Sequence, residues 1–237
     1  MQILHKASEV TPDDLTRMYA YPDGPTPVVR ANMIASIDGA AGLEGRSGDL
    51  AAAGDHQIFA LLRSLADVVV VGAHTALTEG YRQPDGPALA LVSRTLDIPT
   101  DYPPLRDPRT LVLTCDAAPA TRATALTDAG ATLVSCGTAS VSPAAIGAEC
   151  GRRGWRCILL EGGPRLLGAF VAADALDELC LTTSPLIVGG SASRAVNVDA
   201  EFARPMRCAH LLGDDDGYLF ALWRSSDGEH DDRHASR

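Results

Sequence analysis

The sequence predicts an α/β protein with a mostly parallel central sheet of about nine strands, flanked by helices and completed by a C-terminal antiparallel hairpin. Short apolar runs alternate with amphipathic segments, which is the pattern of β–α units. The run DVVVVG at 67–72 contains no polar position between its ends, as expected of a strand buried on both faces. The last two apolar runs are separated only by GDDDG, which is typical of a hairpin.

The elements follow one another from residue 28 onward. Strands are predicted over residues 28–38, 67–72, 87–93, 110–114, 131–136, 156–161, 176–188 and the two arms of the hairpin at 206–224. Helices are predicted over residues 55–66, 121–130, 143–154 and 163–173. We assign residues 1–26 to a lead-in with one short helix, 27–224 to a single domain and 225–237 to a polar tail expected to be disordered.

Composition limits the function classes. The 237 residues are 46% hydrophobic, which is enough for the core of one large domain. A net charge of −10 argues against nucleic acid as a partner. No apolar window is long enough to span a bilayer, and the opening MQILHKASEV lacks the apolar stretch of a signal peptide, so we expect a cytoplasmic protein without membrane contact. The six cysteines show no metal-ligand spacing, so we expect no metal.

The stretch LLEGGPRLLGAFV at 159–171 places an acid, two glycines and a proline between a predicted strand and a predicted helix. Paired glycines let the backbone approach a ligand closely, and Pro164 suits the first turn of a helix. The helix start then offers unpaired N–H groups and a partial positive charge to a phosphate. An ordinary tight strand–helix turn remains the alternative interpretation.

Two further strand ends carry similar chemistry. In VVVVGAHTAL, Gly72 follows a buried strand, and Thr75 is either a helix cap or a phosphate ligand. In LVSRTLDIP, Ser93 and Arg94 leave a strand end, and a serine–arginine pair suits a ribose 2′-phosphate. We call these three strand ends, at Glu161–Pro164, Gly72–Thr75 and Ser93–Arg94, the corners. Each corner alone also has a purely structural interpretation: a tight turn, a capped helix or a solvated arginine. Together they favour a dinucleotide, and Arg94 favours NADPH over NADH.

The order of these motifs resembles a known family. SIDG, DVVVVGAHT, SRTLDIP, LLEGGPRLLG and a final hairpin, over residues 27–224, resemble the reductase domain of riboflavin biosynthesis. That pyrimidine reductase family shares the fold of dihydrofolate reductase. The segments RANMIASIDGAAG and GRSG resemble its stand-alone, actinobacterial-type branch, and the HxE…PCxxC zinc motif of the attached deaminase is absent.

The resemblance implies a cofactor site at the three corners and at the end of the first long strand. The residues it places around NADPH are Ala35, Gly72, His74, Thr75, Ser93, Arg94, Gly162, Gly163, Pro164, Arg165 and Leu166. The segment at 42–50 is similar to the mobile loop that closes over the nicotinamide, with Gly42, Gly45 and Gly48 as hinges.

The resemblance also implies substrate contacts. The residues assigned to the substrate are Asn32, Ser36, Arg46, Ser47, Glu79 and Arg82. The sequence departs from the family pattern here, because TALTEGYRQP keeps one acid at Glu79 but has Tyr81 where the family has proline. Asn32 stands where a lysine is common. These departures leave the natural substrate open.

Three acids are candidates for catalysis. Glu161 ends a buried strand, where a carboxylate is costly without a ligand or a partner. The resemblance implies a substrate role for it, because the matching glutamate of the family lies by the substrate. Asp55 is either the N-cap of its helix or an acid that bonds a pyrimidine or pterin amide edge and promotes protonation. Asp38 follows the first strand, where the family places the nicotinamide against the substrate.

The expected function is an NADPH-dependent reductase acting on a small molecule, with 5-amino-6-(5-phosphoribosylamino)uracil as the leading substrate. One alternative is a reductase of dihydrofolate, another pterin or a different heterocycle. A second is a nucleotide-binding protein without catalysis. Family members pair through their sheets and final strands, and the apolar run YLFALW fits such burial, so we expect a homodimer.

Overall fold

A computed structural model describes residues 5–6 and 10–226, which form one sheet with helices on both faces. The strands are β1 His5–Lys6, β2 Val28–Ser36, β3 Val68–Gly72, β4 Ala88–Val92, β5 Thr110–Thr114, β6 Thr132–Ser135, β7 Cys157–Leu160, β8 Glu178–Ser184, β9 Met206–Gly213 and β10 Leu219–Ser225. The helices are α1 Pro12–Met18, α2 Ala53–Ser64, α3 Ala73–Thr78, α4 Ala120–Asp128, α5 Pro143–Arg152 and α6 Pro164–Ala172. Short 3₁₀ turns cover Gly48–Leu50 and Pro103–Arg106.

The sheet runs in the order β1-β9-β10-β8-β2-β7-β3-β4-β5-β6. The strands from β8 through β2 to β6 are parallel, and β10 is antiparallel to both β8 and β9. The nine predicted strands, the helices between them and the C-terminal hairpin are therefore confirmed. The additional strand β1 pairs with β9 over only two residues, and so short a pairing leaves no periodic pattern in the sequence.

The sheet is buried on both faces because its central strands send alternate side chains into two separate cores. In β3, Val69 and Val71 pack with α1, α2, α3 and α4, whereas Val68 and Val70 pack with α5 and α6. All four valines are fully buried. The apolar run that predicted a two-faced strand thus supplies both cores.

The lead-in is fastened to the sheet by a buried arginine. Arg30 of β2 is fully buried, and its guanidinium donates to Glu178 of β8 and to the backbone carbonyls of Tyr19 and Ala20, just beyond α1. Its guanidinium also lies over the ring of Tyr21, 3.9 Å from the centroid. Residues 12–21 therefore pack as part of the domain. The polar tail lies outside the described residues from position 227 onward. Within the described ranges no helix is long and apolar enough to cross a membrane.

Candidate active site

The three glycine- or serine-containing corners lie side by side. They follow β7, β3 and β4, which are adjacent and parallel, so their carboxyl ends meet at one edge of the sheet. The N–H of Gly72 donates to the carbonyl oxygen of Gly162 at 2.8 Å, which joins the first two corners directly. In open α/β sheets this edge is where ligands bind.

The glycine pair is required by close packing. Gly162 has a φ of +79°, and a Cβ there would lie 2.9 Å from Sδ of Met33. A Cβ at Gly163 would lie 2.5 Å from Oγ1 of Thr75. The peptide bond between the two glycines is cis. Glycine is favoured at position 162 by its positive φ and at position 163 by the close approach of Thr75, while the Met33 side chain is flexible.

The turn opens directly into α6. Gly163 is the N-cap of this helix and Pro164 its first residue, and no side chain caps the helix start. The first-turn amides, those of Arg165 and Leu166, are therefore open to a ligand. An uncapped helix start beside Thr75 fits the diphosphate of a dinucleotide, because backbone N–H groups and the helix dipole both attract it.

The predicted cap at Thr75 is wrong. Helix α3 begins at Ala73 with Gly72 as its N-cap, so Thr75 lies inside the first turn. Its hydroxyl instead faces the glycine corner and helps to line a cavity. The alternative interpretation, in which Thr75 contacts a ligand, remains compatible with this position.

A cavity of about 540 Å³ opens beside the corners, between the end of β2, helix α2, the segment around α3 and the loop at 42–50. The predicted site residues that line it are Asn32, Ser47, Asp55, His74, Thr75, Glu79, Arg82, Glu161, Gly163 and Pro164. The predicted site residues outside this lining are Ala35, Ser36, Asp38, Arg46, Gly72, Ser93, Arg94, Gly162, Arg165 and Leu166. The structure thus brings half of the assigned positions around one space.

The interpretation of Asp55 as a helix cap is wrong. Helix α2 begins at Ala53 with Ala52 as its N-cap, so Asp55 is the third helical residue. Gly54, inside the first turn, packs tightly: a Cβ there would lie 2.7 Å from Cζ of Phe220. Asp55 is buried against the cavity, where burial raises the pKa of its carboxyl and the hydroxyl of Thr182 opposes that rise by hydrogen bonding.

Glu161 has a protein partner that the sequence reasoning missed. Arg63 of α2 binds its carboxylate with two bonds of 2.7 Å, Nε to Oε1 and Nη2 to Oε2. Both residues line the cavity. In DHQIFALLR the four-residue spacing of Asp55, Phe59 and Arg63 indicates one shared helix face, but it does not identify Glu161 as the partner of Arg63.

Tyr81 completes this cluster. Its side chain interacts with the carboxylate of Glu161, and its ring lies under the Arg63 guanidinium at 5.1 Å. Burial raises the pKa of Tyr81 well above its ordinary value, and the nearby Glu161 carboxylate adds to the shift. The hydroxyl of Tyr102 donates to the backbone carbonyl of Tyr81 at 2.8 Å, which fixes the segment. Tyr81, which stands where the family has proline, is therefore held in an ordered contact with Glu161 and Arg63.

Asp38 occupies a turn outside the cavity lining. Its carboxylate accepts hydrogen bonds from the hydroxyl of Ser36 and from the amides of Val188 at 3.1 Å and Gly189 at 2.7 Å. These bonds, the one from Ser36 first, lower the pKa of Asp38 to about 2. Asp38 therefore anchors the loop that follows β8, and the structure shows it engaged in that role.

The loop at 42–50 is fastened to the end of α3. Both the amide and the hydroxyl of Ser47 donate to Oε1 of Glu79, at 2.8 and 3.0 Å. Ser47 and Glu79, both assigned to the substrate, thus bind each other at the cavity rim. Of the predicted hinges, Gly45 has a φ of +84°, and a Cβ at Gly42 would lie 2.8 Å from the carbonyl oxygen of Arg46.

Ser93 and Arg94 lie where β4 ends. The hydroxyl of Ser93 accepts a hydrogen bond from the amide of Leu96 at 2.9 Å, which shapes the turn. Arg94 is exposed. Asn32 of β2 lines the cavity. Its side-chain oxygen is buried and has no hydrogen-bond partner among the described residues. Such an acceptor is available to a ligand donor.

Comparison with known proteins places the chain in a family. The model of the RibD C-terminal domain matches residues 27–220. A protein of Aquifex aeolicus named 2,5-diamino-6-ribosylamino-4(3H)-pyrimidinone 5′-phosphate reductase is 28% identical over 137 residues, which are 54% of this chain and 61% of that protein. The match thus spans less than two-thirds of that relative.

Two solved structures resemble the fold. A pyrimidine reductase-like protein of Corynebacterium diphtheriae has a TM-score of 0.77 and 26% identity, over 84% of this chain and 92% of the other. Dihydrofolate reductase of Enterococcus faecalis has a TM-score of 0.50 and 13% identity, over 84% and 97%, which is a likeness of fold alone. The chain belongs to the RibD C-terminal domain family, the pyrimidine reductase family that its motifs resemble, and it has a dihydrofolate-reductase-like fold.

Proposed function

We propose that this protein is an NADPH-dependent reductase whose leading substrate is 5-amino-6-(5-phosphoribosylamino)uracil. The observation that carries the proposal is that three backbone corners follow the adjacent parallel strands β7, β3 and β4, and that the first two of them line a cavity with buried acids. Family membership supports the reductase chemistry. The relative from Aquifex makes the 2,5-diamino-pyrimidinone phosphate a second substrate of the same class.

The described residues fit a dinucleotide. The open amides of Arg165 and Leu166 would hold the diphosphate with the Thr75 hydroxyl beside it, and exposed Arg94 would bind the 2′-phosphate. When bound, NADPH would supply the hydride. The loop at 42–50, held by Ser47 and Glu79, would keep water from the reacting rings.

Asp55 is the candidate for positioning the heterocycle and its proton. Burial favours its protonated form, so it can donate a hydrogen bond to a ring nitrogen or hold an ordered water there. The buried, unpaired oxygen of Asn32 would accept a ring N–H. Exposed Arg82, at the cavity rim, would bind the substrate phosphate.

The burial of Asp55 also favours a second candidate function. A buried acid in the cavity suits the amide edge of dihydrofolate or another pterin as well as that of a pyrimidine. Against a protein without catalysis, the EGYR segment, where the sequence departs from the family pattern, packs into an ordered cluster with Glu161. Steady-state NADPH oxidation with the aminouracil phosphate, the diamino-pyrimidinone phosphate and dihydrofolate separates the candidates. Turnover of dihydrofolate alone would defeat the riboflavin assignment, and binding of NADPH without any turnover would support the non-catalytic alternative.

The choice of cofactor has its own test. Arg94→Ala should weaken NADPH binding by about tenfold or more and leave NADH binding almost unchanged, since only NADPH carries the 2′-phosphate. Fluorescence titration of both cofactors measures the two dissociation constants. Equal losses for NADPH and NADH would remove Arg94 from that role. The homodimer and the cytoplasmic location stay predictions.

A further inference from the structure

Arg63 retains donors that its partner Glu161 does not use. A guanidinium has five N–H groups, and the two bonds to Glu161 engage Nε and Nη2. The hydroxyl of Tyr81 hydrogen-bonds to Arg63 as well as to Glu161, which engages a third N–H group of the guanidinium and leaves two. The Nη1 group therefore stays outside the bonds to Glu161. Both residues line the cavity, and the Arg63 side chain is 23% exposed while that of Glu161 is 2% exposed, so the arginine is the more accessible member of the pair.

The orientation of the guanidinium is fixed. Its central carbon lies over the ring of Phe59 at 4.1 Å and over the ring of Tyr81 at 5.1 Å. The two-pronged contact with Glu161 sets the plane of the group. With aromatic rings against it, one edge bonded to Glu161 and one N–H bonded to Tyr81, the guanidinium can meet a ligand through its remaining in-plane N–H groups. That geometry selects an acceptor that lies close to the guanidinium plane.

The charge of the pair selects a neutral acceptor. Arg63 and Glu161 together carry no net charge, so a phosphate would gain little attraction and would approach a carboxylate. Arg82 lies at the same cavity, is exposed and has no ion-pair partner among the described residues, which makes it the better site for an anion. A ring carbonyl oxygen is uncharged and needs only N–H donors. The Arg63–Glu161 pair supplies these donors without a net charge.

We propose that Arg63, held in place by Glu161 and Tyr81, binds a ring carbonyl oxygen of the substrate heterocycle, and that Glu161 acts as a positioning residue behind it. This inference rests on the proposed function, since it takes a pyrimidine as the ligand. The charged side chain that contacts the substrate is then Arg63 of α2, and not Glu161 at the end of β7. The substrate class it favours is an oxo-substituted planar heterocycle.

The test compares matched arginine variants. Arg63→Lys keeps the charge but loses the planar fork. Arg153→Lys is the control, because Arg153 also pairs with a glutamate, Glu149 at 2.7 Å, and lies over an aromatic ring, that of Trp155 at 5.4 Å, but is outside the cavity lining. The measurements are the KM and kcat for 5-amino-6-(5-phosphoribosylamino)uracil, its dissociation constant by calorimetry and the dissociation constant of NADPH.

We expect Arg63→Lys to raise KM and the pyrimidine dissociation constant by about tenfold or more and to change NADPH affinity by less than about twofold. Arg153→Lys should change neither. The double variant Arg63→Gln with Glu161→Gln removes both charges, so the pair stays neutral. Its pyrimidine binding should remain impaired, because the guanidinium is absent; recovery to the wild-type value would reduce Arg63 to a counter-ion of Glu161.

Failure of this inference differs from failure of the proposed function. If the wild type turns over the pyrimidine and Arg63→Lys behaves like Arg153→Lys, Arg63 does not contact the substrate and the reductase assignment stands. If the wild-type protein neither binds nor reduces the pyrimidine, both are overturned. Binding lost in Arg63→Lys supports the contact even where kcat is too low to measure.

Discussion

Two arginine–glutamate pairs in this fold have the same chemistry and different surroundings. In the pair of Arg30 and Glu178 the side chains are 0% and 3% exposed, and every nitrogen of the arginine has an acceptor on Glu178, Tyr19 or Ala20. In the pair of Arg63 and Glu161 the arginine is 23% exposed and lines a cavity. A saturated pair fastens elements together, whereas a pair with a free edge can also bind a ligand.

The largest effect should come from breaking the saturated pair. Glu178→Ala leaves Arg30 buried without its counter-ion and also removes the acceptor of Arg224, so unfolding free energy should fall by about 3–5 kcal/mol. Denaturant unfolding measures this loss. Arg204→Ala is the control, because Arg204 pairs with Asp174 at the exposed surface, where loss should be below about 1 kcal/mol. Equal losses of unfolding free energy in the two variants would show that the buried pair contributes no more to stability than an exposed one.

The second effect should appear in activity. Glu161→Gln keeps the shape of the side chain but loosens Arg63, so kcat/KM should fall by about tenfold or more while NADPH affinity changes by less than about twofold. Stability should fall less than in Glu178→Ala, because water can reach Arg63. Glu149→Gln, which loosens two arginines away from the cavity, should leave kinetics unchanged. Loss of NADPH affinity in place of turnover would contradict the substrate-side position of Glu161.

A third effect concerns the glycine corner beside Glu161. Gly163→Ala places a methyl group 2.5 Å from the Thr75 hydroxyl, so stability should fall by about 1–3 kcal/mol and NADPH affinity should fall with it. Adding Thr75→Ala should recover most of the stability. The control is Gly147→Ala on α5, where a Cβ meets no atom within 4 Å. A stable Gly163→Ala protein with normal NADPH affinity would show that the corner tolerates a side chain.

The smallest effect should have the opposite sign. Burial raises the pKa of Asp55 above its ordinary 3.8, so the folded state loses stability as pH rises from that value through the higher folded pKa. Asp55→Asn removes this loss and should therefore be slightly more stable than the wild type at pH 7, with reduced turnover. Thermal melting at pH 4 and pH 7 checks the sign: the gain should be present at pH 7 and shrink at pH 4. A loss of stability at pH 7 would mean that the hydrogen bond between Asp55 and Thr182 outweighs the cost of burying the carboxylate.

The elements could be predicted from local pattern, because alternating apolar runs and turn residues already determine which segments are strands. The partner of Glu161 could not, since Arg63 is 98 residues away and nothing local links the two. The sequence did predict that Glu161 needs a ligand or a partner, which is a statement about burial alone. Distances between remote residues require the fold.

The two helix caps failed for a different reason. At Asp55 and Thr75 a capping residue type stood within three residues of a helix start, and local preference could not say which position begins the helix. The contacts at the two helix starts are made with remote residues: Gly54 packs under Phe220 inside α2, and Gly72 bonds to Gly162 at the start of α3. Both misplaced caps are residues that the cavity uses.

Strand β7 has a consequence for how the molecule is made. It lies between β2 and β3, which precede it in the chain and do not touch each other. During synthesis β2 therefore emerges before either of its neighbours in the sheet, and it is joined to β3–β6 only after residue 160 leaves the ribosome. The turn that follows β7 carries Glu161 and the two glycines, so the same event that closes the sheet also assembles the pocket. A chain halted before that point possesses neither.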